Sequence, residues 1–175
     1  MTKMTSLLIA MLLAAACGDS ETSADPPQIL FTQNSSGAVL TDTTLTLTGV
    51  SSQTSWFTDR PYRAAGQIPT EVFVASWGEG EDSFAGDPPN GEFTCTVDGE
   101  VVDYAVELNR PRLDGGDLVY DVEFLGDSSL PVGTPANCTT EASLFIDPRL
   151  FKALVGSDGL PKTCFTCSSD CLEAC

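Results

Sequence analysis

The sequence predicts a mainly β protein, an antiparallel β-sandwich or curled sheet with one short helix packed on it and a disulfide-rich C-terminal tail. The sheet is indicated by segments in which apolar and polar residues alternate, the pattern of a strand with one buried face. A hairpin is indicated by Asp98-Gly99, the favoured pair for a tight turn, between two such segments. The tail is indicated by four cysteines in the closing stretch CFTCSSDCLEAC.

Residues 1–16 are predicted to be a secretory signal peptide. Lys3 supplies a positive charge, an apolar run follows it, and small alanines precede Cys17. The run is shorter than the stretch of about 20 residues that a membrane-spanning helix needs. A small residue directly before cysteine resembles a bacterial lipobox, although the leucine stands one position too early, so ordinary secretion is the alternative.

The number of cysteines favours a lipid anchor. The chain has seven cysteines, and an odd cysteine is a liability in an oxidising compartment. Lipidation of Cys17 leaves an even set that can pair: Cys95, Cys138, Cys164, Cys167, Cys171 and Cys175. Residues 17–27 are then the lipidated N-terminus and tether, 28–160 the β-rich domain, and 161–175 the cysteine-rich tail. We therefore predict a cell-envelope protein whose lipid anchor binds a bacterial membrane and which faces the periplasm or the exterior.

Charge and composition argue against several functions. The formal net charge of −17 disfavours nucleic acid and direct adsorption to anionic lipid, because both need basic patches. The absence of histidine excludes Ser-His-Asp and Cys-His hydrolases and histidine-ligated zinc. We expect no cofactor and predict a non-enzymatic binding or scaffold module, whose protein or small ligand the sequence does not identify.

Five segments are predicted as strands. Residues 38–49 and 54–57 come first, and 92–97 and 100–108 flank the hairpin turn. Residues 118–125 follow the loop NRPRLDGGD, so the last three strands form an antiparallel meander with one exposed face.

One helix is predicted in the middle of the chain. Thr70 is expected to cap TEVFVASW, with Glu71 in the first turn and Phe73 and Trp77 on the face toward the sheet. A second, weaker helix is predicted over residues 148–155, with proline at its start and glycine just past its end.

The run WFTDRPYRAAGQIPTEVFVASW, followed by FAGDPPN, resembles a motif block of a family of small uncharacterised exported bacterial proteins. The valine-rich hairpin VVDYAVELNRPRLDGGDLVYDVEFL is similar to the segment that follows the block in that family. The resemblance spans residues 43–125 and implies an exported protein, but it assigns no activity. The cysteine-rich tail from Cys138 onward is not part of the family pattern.

The terminal cysteines have three interpretations. Their close spacing and the exported context favour disulfides over zinc, whose sites generally pair two cysteine units across a longer loop. A redox pair at Cys164 and Cys167 is the remaining alternative, although no βαβ pattern precedes it. Six cysteines allow fifteen pairings. We expect Cys95 to join Cys138 within the domain and the tail to close on itself.

Arginines and carboxylates supply the remaining candidate sites. An anion-recognition patch is predicted from the arginines of two proline-interrupted loops, because guanidinium groups bind carboxylates in a bidentate manner: Arg60, Arg63, Arg110 and Arg112. The structural alternative is that these arginines tie their loops to acidic residues such as Asp59 or Asp87.

The acidic loop GEGEDSFAGDPPN is the weakest candidate. Oxygen-rich, glycine-spaced loops can chelate calcium, and here the ligands would be Glu79, Glu81, Asp82 and Asp87. The spacing matches no EF-hand, so a solvated loop that ends the helix at Gly78 is favoured. A ligand site built from these loops would also use Trp56 and Trp77. A pair of carboxylates acting in hydrolysis is the least favoured function.

Overall fold

The computed structural model describes residues 28–60, 62–80 and 83–147. A short helix, α1 (Thr70–Ala75), continues into a 3-10 turn at Ser76–Gly78. The strands are, in chain order, β1 (Ile29–Leu40), β2 (Thr44–Val50), β3 (Gln53–Thr58), β4 (Ala65–Pro69), β5 (Asn90–Val97), β6 (Glu100–Asp114), β7 (Asp117–Phe124), β8 (Ala136–Cys138) and β9 (Ala142–Asp147). The predicted signal peptide 1–16, the tether 17–27, the helix at 148–155 and the tail 161–175 lie outside the described residues.

Six strands form a closed antiparallel barrel in the order β1-β2-β7-β6-β5-β9 and back to β1. β1 closes the ring because it pairs with β2 along one edge and with β9 along the other. β3 extends the β2 edge of β1, β4 pairs with β3, and β8 extends the β9 edge. The prediction of a mainly β fold with one short helix is confirmed.

The predicted meander of β5, β6 and β7 is confirmed. More buried positions alternate with less buried ones along β5, along β6 as far as Asn109, and along β7. Asp98 and Gly99 have φ angles of 52° and 87°, the left-handed values that a tight hairpin turn requires at both central positions. The predicted loop NRPRLDGGD is wrong, because β6 runs on to Asp114. A bulge between Asn109 and Arg112 accommodates the proline, and only two glycines remain in the turn.

Two further local predictions are wrong. Residues 38–49 are not one strand, because the chain turns after Leu40 and the backbone N–H of Thr44 donates to Thr41 Oγ1 at 3.0 Å. Thr70 does not cap α1, whose N-cap residue is Pro69. The Thr70 hydroxyl instead donates to the carbonyl of Ser51 at 2.7 Å, and so it ties the start of the helix to the β2–β3 connection.

An aromatic cluster fills the core where α1 and the following loop pack on the barrel. Phe73 and Trp77 share a buried face, as predicted, with ring centroids 5.9 Å apart. Phe84 packs on Trp77 at 4.8 Å, Phe31 on Phe73 at 5.1 Å, and Tyr120 on Trp77 at 5.7 Å. Burying each of these rings stabilises the fold by about 2–3 kcal/mol, so the helical segment is held mainly by its aromatic side chains.

Candidate functional site

The bulge of β6 brings two of the predicted anion-binding arginines onto one carboxylate. Arg110 Nε lies 2.7 Å from Asp121 Oδ2, and Arg112 Nη1 lies 2.8 Å from Asp121 Oδ1. The hydrogen bond from Arg112, with the charge of Arg110 beside it, lowers the pKa of Asp121 below its usual value. This geometry favours the structural interpretation of both arginines, with Asp121 on β7 as their partner rather than Asp59 or Asp87.

Strain accompanies the Arg110 contact. Arg110 has a φ angle of 43°, in the left-handed region that a non-glycine residue occupies at a cost of about 1–3 kcal/mol. The side chain is 82% exposed even though it is ion-paired. An open groove of about 700 Å³ adjoins the pair and is lined in part by Glu107 and Glu123. These carboxylates make the surroundings unfavourable to a second anion.

The other two predicted anion-binding residues lie in the turn between β3 and β4. Arg60 and Arg63 are exposed, and neither forms a salt bridge with any residue that the structure describes. Arg63 also has a positive φ angle, 53°. The described contacts join neither of them to the bulge of β6, so the four arginines do not form one patch held together by direct contacts.

The acidic loop is anchored rather than wholly solvated. Phe84 is fully buried in the aromatic cluster, and the backbone N–H groups of Gly86 and Asp87 donate to the carbonyl of Ser83 at 2.9 and 3.0 Å. Of the predicted calcium ligands, Glu79 and Asp87 are exposed, whereas residues 81 and 82 lie outside the described part. The described residues contain no group of three or more potential metal ligands in suitable geometry. Calcium binding stays a prediction, while the helical segment does end at Gly78.

The tryptophans belong to the core. Trp56 and Trp77 are only 5% and 6% exposed, so neither presents a surface for a ligand. Trp56 lies across Gly66 of β4, where an added Cβ atom would come within 2.7 Å of the indole ring. The expectation that these rings belong to a ligand site is therefore wrong.

A disulfide joins Cys95 of β5 to Cys138 of β8, as predicted. Both cysteines are buried, their Cα atoms are 5.9 Å apart, and 43 positions of sequence separate them. Closing a loop of this length stabilises a fold by about 4 kcal/mol in the chain-entropy account. The four cysteines of the tail lie beyond the described residues, so their pairing stays a prediction.

A chain of buried hydrogen bonds, which the sequence pattern does not predict, crosses the interior. The Tyr120 hydroxyl donates to Gln33 Oε1 at 2.8 Å, and Gln33 Nε2 donates to Thr54 Oγ1 at 3.2 Å. Thr54 Oγ1 in turn lies 3.0 Å from Thr70 Oγ1. The chain thus links β7, β1, β3 and α1 through the interior. The sequence does contain a hint of the buried glutamine, because Gln33 falls on the same alternating, inward positions as Ile29 and Phe31.

This chain of hydrogen bonds has the character of a structural element. Burial raises the pKa of Tyr120, which keeps its hydroxyl neutral and able to donate. Gln33 is only 1% exposed, so its amide cannot exchange this bond for one with water.

Comparisons with known proteins assign no family or fold relationship. The chain matches no protein-family model, and no curated protein or solved structure shows significant similarity to it. The resemblance of residues 43–125 to an exported bacterial family stays a prediction. Four aromatic side chains of the motif block lie in the core: Trp56, Phe73, Trp77 and Phe84. Phe57 and Tyr62 of the same block are half-buried. No helix among the described residues has the length and apolarity needed to cross a membrane.

Proposed function

We propose that the protein is a non-enzymatic lipoprotein of the bacterial cell envelope, a member of the exported family that its motif block resembles. Residues 1–16 direct export, acylated Cys17 anchors the chain, and the barrel acts as a small binding or scaffold module. One observation carries this proposal. The buried cysteines of β5 and β8 are joined in a disulfide, a bond that persists in oxidising compartments and is rare in the cytosol.

The geometry of the chain connections supports anchoring from one end of the barrel. The described chain enters β1 at Gln28, whose carbonyl accepts a hydrogen bond from the N–H of Asp59 at 3.2 Å. β9 leaves the barrel at Asp147, where it pairs with Asn90, the first residue of β5. Phe31 near the start of β1 pairs with Ile146 near the end of β9, so the described chain begins and ends at the same end of the barrel. In this proposal the tail closes on itself by disulfides.

The opposite end is the one that this anchor would present to a partner. β5 has eight residues, and at about 3.3 Å per residue it carries the chain about 23 Å from Asn90 to Val97, the residue before the Asp98-Gly99 turn. The turn and the adjoining ends of β5 and β6 then face away from the membrane. Display of a rigid hairpin at this distance is the arrangement expected of a binding module.

Lipidation is tested by expression in a bacterium that processes lipoproteins, followed by fractionation and mass spectrometry of the N-terminal peptide. We expect the protein in the membrane fraction, with the acyl-modified thiol of Cys17 as its first residue. Cys17→Ala should release it into the soluble fraction, whereas the tether variant Ser20→Ala should stay acylated. A wild-type chain that keeps its leader and has reduced cysteines in the cytoplasm would contradict the proposal.

Anion binding is the second candidate function, and it is favoured by the exposed guanidinium groups of Arg60 and Arg63. Sulfate should raise the melting temperature of the purified chain, and Arg60→Gln with Arg63→Gln should abolish this effect, while Arg110→Gln should not. The calcium alternative depends in part on Glu81 and Asp82, and the thiol–disulfide alternative depends on Cys164 and Cys167. All four residues lie outside the described part of the chain, so both alternatives stay predictions.

A further inference from the structure

The N-terminal part of β6 has a free edge. β6 pairs with β5 from Glu100 onward, but its pairing with β7 begins only at Val106. The Leu108 N–H donates to the Pro89 carbonyl, and this register turns the backbone groups of Val101 and Asp103 away from β5. Neither residue has a backbone hydrogen bond on that side in the described structure, so two N–H and two carbonyl groups stand ready for another strand.

The free edge has a definite length. At one end it begins at the Asp98-Gly99 turn. At the other end the chain after β7 covers it, because the Leu125 N–H donates to the Ala105 carbonyl at 2.9 Å and the Ala105 N–H donates to Ser128 Oγ at 3.1 Å. The open stretch therefore matches a short segment of extended peptide.

A groove with both apolar and polar walls adjoins this edge on the inner face of the hairpin. Its volume is about 440 Å³, and its floor includes Val97, Val102, Tyr104 and Leu130. Val101, on the outer face of β6, is 68% exposed. An added strand on β6 would direct every second side chain toward this groove and the others toward the outer face.

The charges around the edge select the occupant. Asp98 and Glu100 line the groove, and Asp103 lies on the outer face. The basic residues of the described chain lie in the β3–β4 turn and the β6 bulge, away from this edge. A peptide with apolar residues toward the groove and basic residues toward Asp103 is complementary in both respects.

A second copy of this chain fits poorly. Antiparallel pairing of two β6 edges would bring the Asp103 side chains of both copies close together, and like charges on paired strands are destabilising. The Asp98 and Glu100 carboxylates of each copy would add to this repulsion.

We propose that the free edge of β6 binds an extended peptide segment in which apolar and basic residues alternate, as an added strand whose apolar side chains enter the groove. The inference rests on the proposed binding function and names the class of partner. Backbone pairing supplies affinity in this mode of recognition, and the alternating side chains supply specificity.

The test uses the exported full chain with Cys17→Ser, which leaves every described residue unchanged, titrated with the octapeptide KVKVKVKV and followed by NMR. We expect saturable shifts at the amides of Val101 and Asp103 and slower hydrogen exchange at both. EVEVEVEV should bind at least about tenfold more weakly. Two further peptides, N-methylated at every valine or at every lysine, separate strand pairing from charge. In an added strand, only every second N–H points toward β6. If the peptide pairs with β6, one of the two N-methylated peptides should therefore lose binding and the other should keep it.

Protein variants complete the test. Val101→Pro removes an outward N–H that has no partner in the free protein, so the barrel should keep its melting temperature while peptide binding is lost. Asp103→Lys should weaken binding about fivefold, whereas Asp114→Lys, with the same charge change at the far end of β6, should not. Equal binding of both N-methylated peptides, shifts confined to other residues, or a dimer that Val101→Pro dissociates would overturn the inference. A chain that is acylated at Cys17 yet binds no peptide would refute this inference alone.

Discussion

Tyr120→Phe removes one oxygen atom from the interior and tests whether the buried hydrogen-bond chain stabilises the barrel. The hydroxyl donates to Gln33 Oε1 at 2.8 Å, and both side chains are almost wholly buried. The variant keeps the ring in its place against Trp77, so its effect comes from the lost bond and from the acceptor left without a partner. A lost hydrogen bond of this kind with an unsatisfied buried partner costs about 2 kcal/mol.

The assay is urea unfolding of the oxidised protein at neutral pH. Tyr104→Phe is the matched control, because Tyr104 is half-buried against Phe124 and its hydroxyl has no hydrogen bond to the described residues. We expect the midpoint of Tyr120→Phe to fall by an amount that corresponds to about 2 kcal/mol, with an unchanged m-value, and that of Tyr104→Phe to stay near wild type. If the two variants had equal urea midpoints, the hydrogen-bond chain would have no role in stabilising the barrel.

The same tyrosine predicts a dependence on alkaline pH. Burial raises the pKa of Tyr120 in the folded state, so the folded protein retains a proton that the unfolded chain releases above pH about 10. Stability should therefore be unaffected below that pH and fall above it. Tyr120→Phe should lose less stability on alkalinisation than wild type, and parallel pH profiles would contradict the assignment.

Three further perturbations test the barrel and its loop. Replacing Cys95 and Cys138 together by alanine should lower the free energy of unfolding, measured by urea titration, by about 4 kcal/mol. A much smaller loss would mean that the disulfide constrains the unfolded chain less than the separation of 43 residues implies. Gly66→Ala should cost about 2 kcal/mol, because its Cβ atom would meet the Trp56 ring, whereas Gly78→Ala should be near neutral because no described atom lies within 4 Å of its Cβ position; similar melting temperatures would refute the contact. Millimolar calcium should raise the melting temperature if the acidic loop binds it, and an unchanged melting curve would remove the calcium prediction.

The sequence predicted the strands of the meander, whose polarity alternates cleanly, and it did not predict the first half of β1, β4, β8 or β9. The meander of β5 to β7 carries apolar residues on its inward positions, so the alternation of apolar and polar residues could be recognised in the sequence. β1 was not recognised over its first half, because Gln33 and Ser35 occupy buried positions that the pattern reserves for apolar side chains. Their partners come from distant parts of the chain, and a local pattern cannot reveal them.

The candidate sites show the same division between local and distant information. The pairing of Cys95 with Cys138 was predicted within the domain, whereas Asp121 was not recognised as the partner of Arg110 and Arg112. That contact depends on a bulge in β6, and Pro111 and the two glycines that follow the bulge suggested a loop. Closure of the sheet likewise depends on the pairing of β1 with β9, which local alternation does not encode.

The position of β1 in the barrel has a consequence for how the protein acquires its fold. This strand pairs with four others, and its partner β9 lies more than a hundred positions later, where Phe31 meets Ile146. Contacts of such separation form slowly, because the intervening chain must first be brought together. During synthesis the N-terminal strands are made first, so the edge of β1 that pairs with β9 stays open until β9 has been made. Truncation before β9 should therefore yield an aggregation-prone species rather than a smaller stable domain.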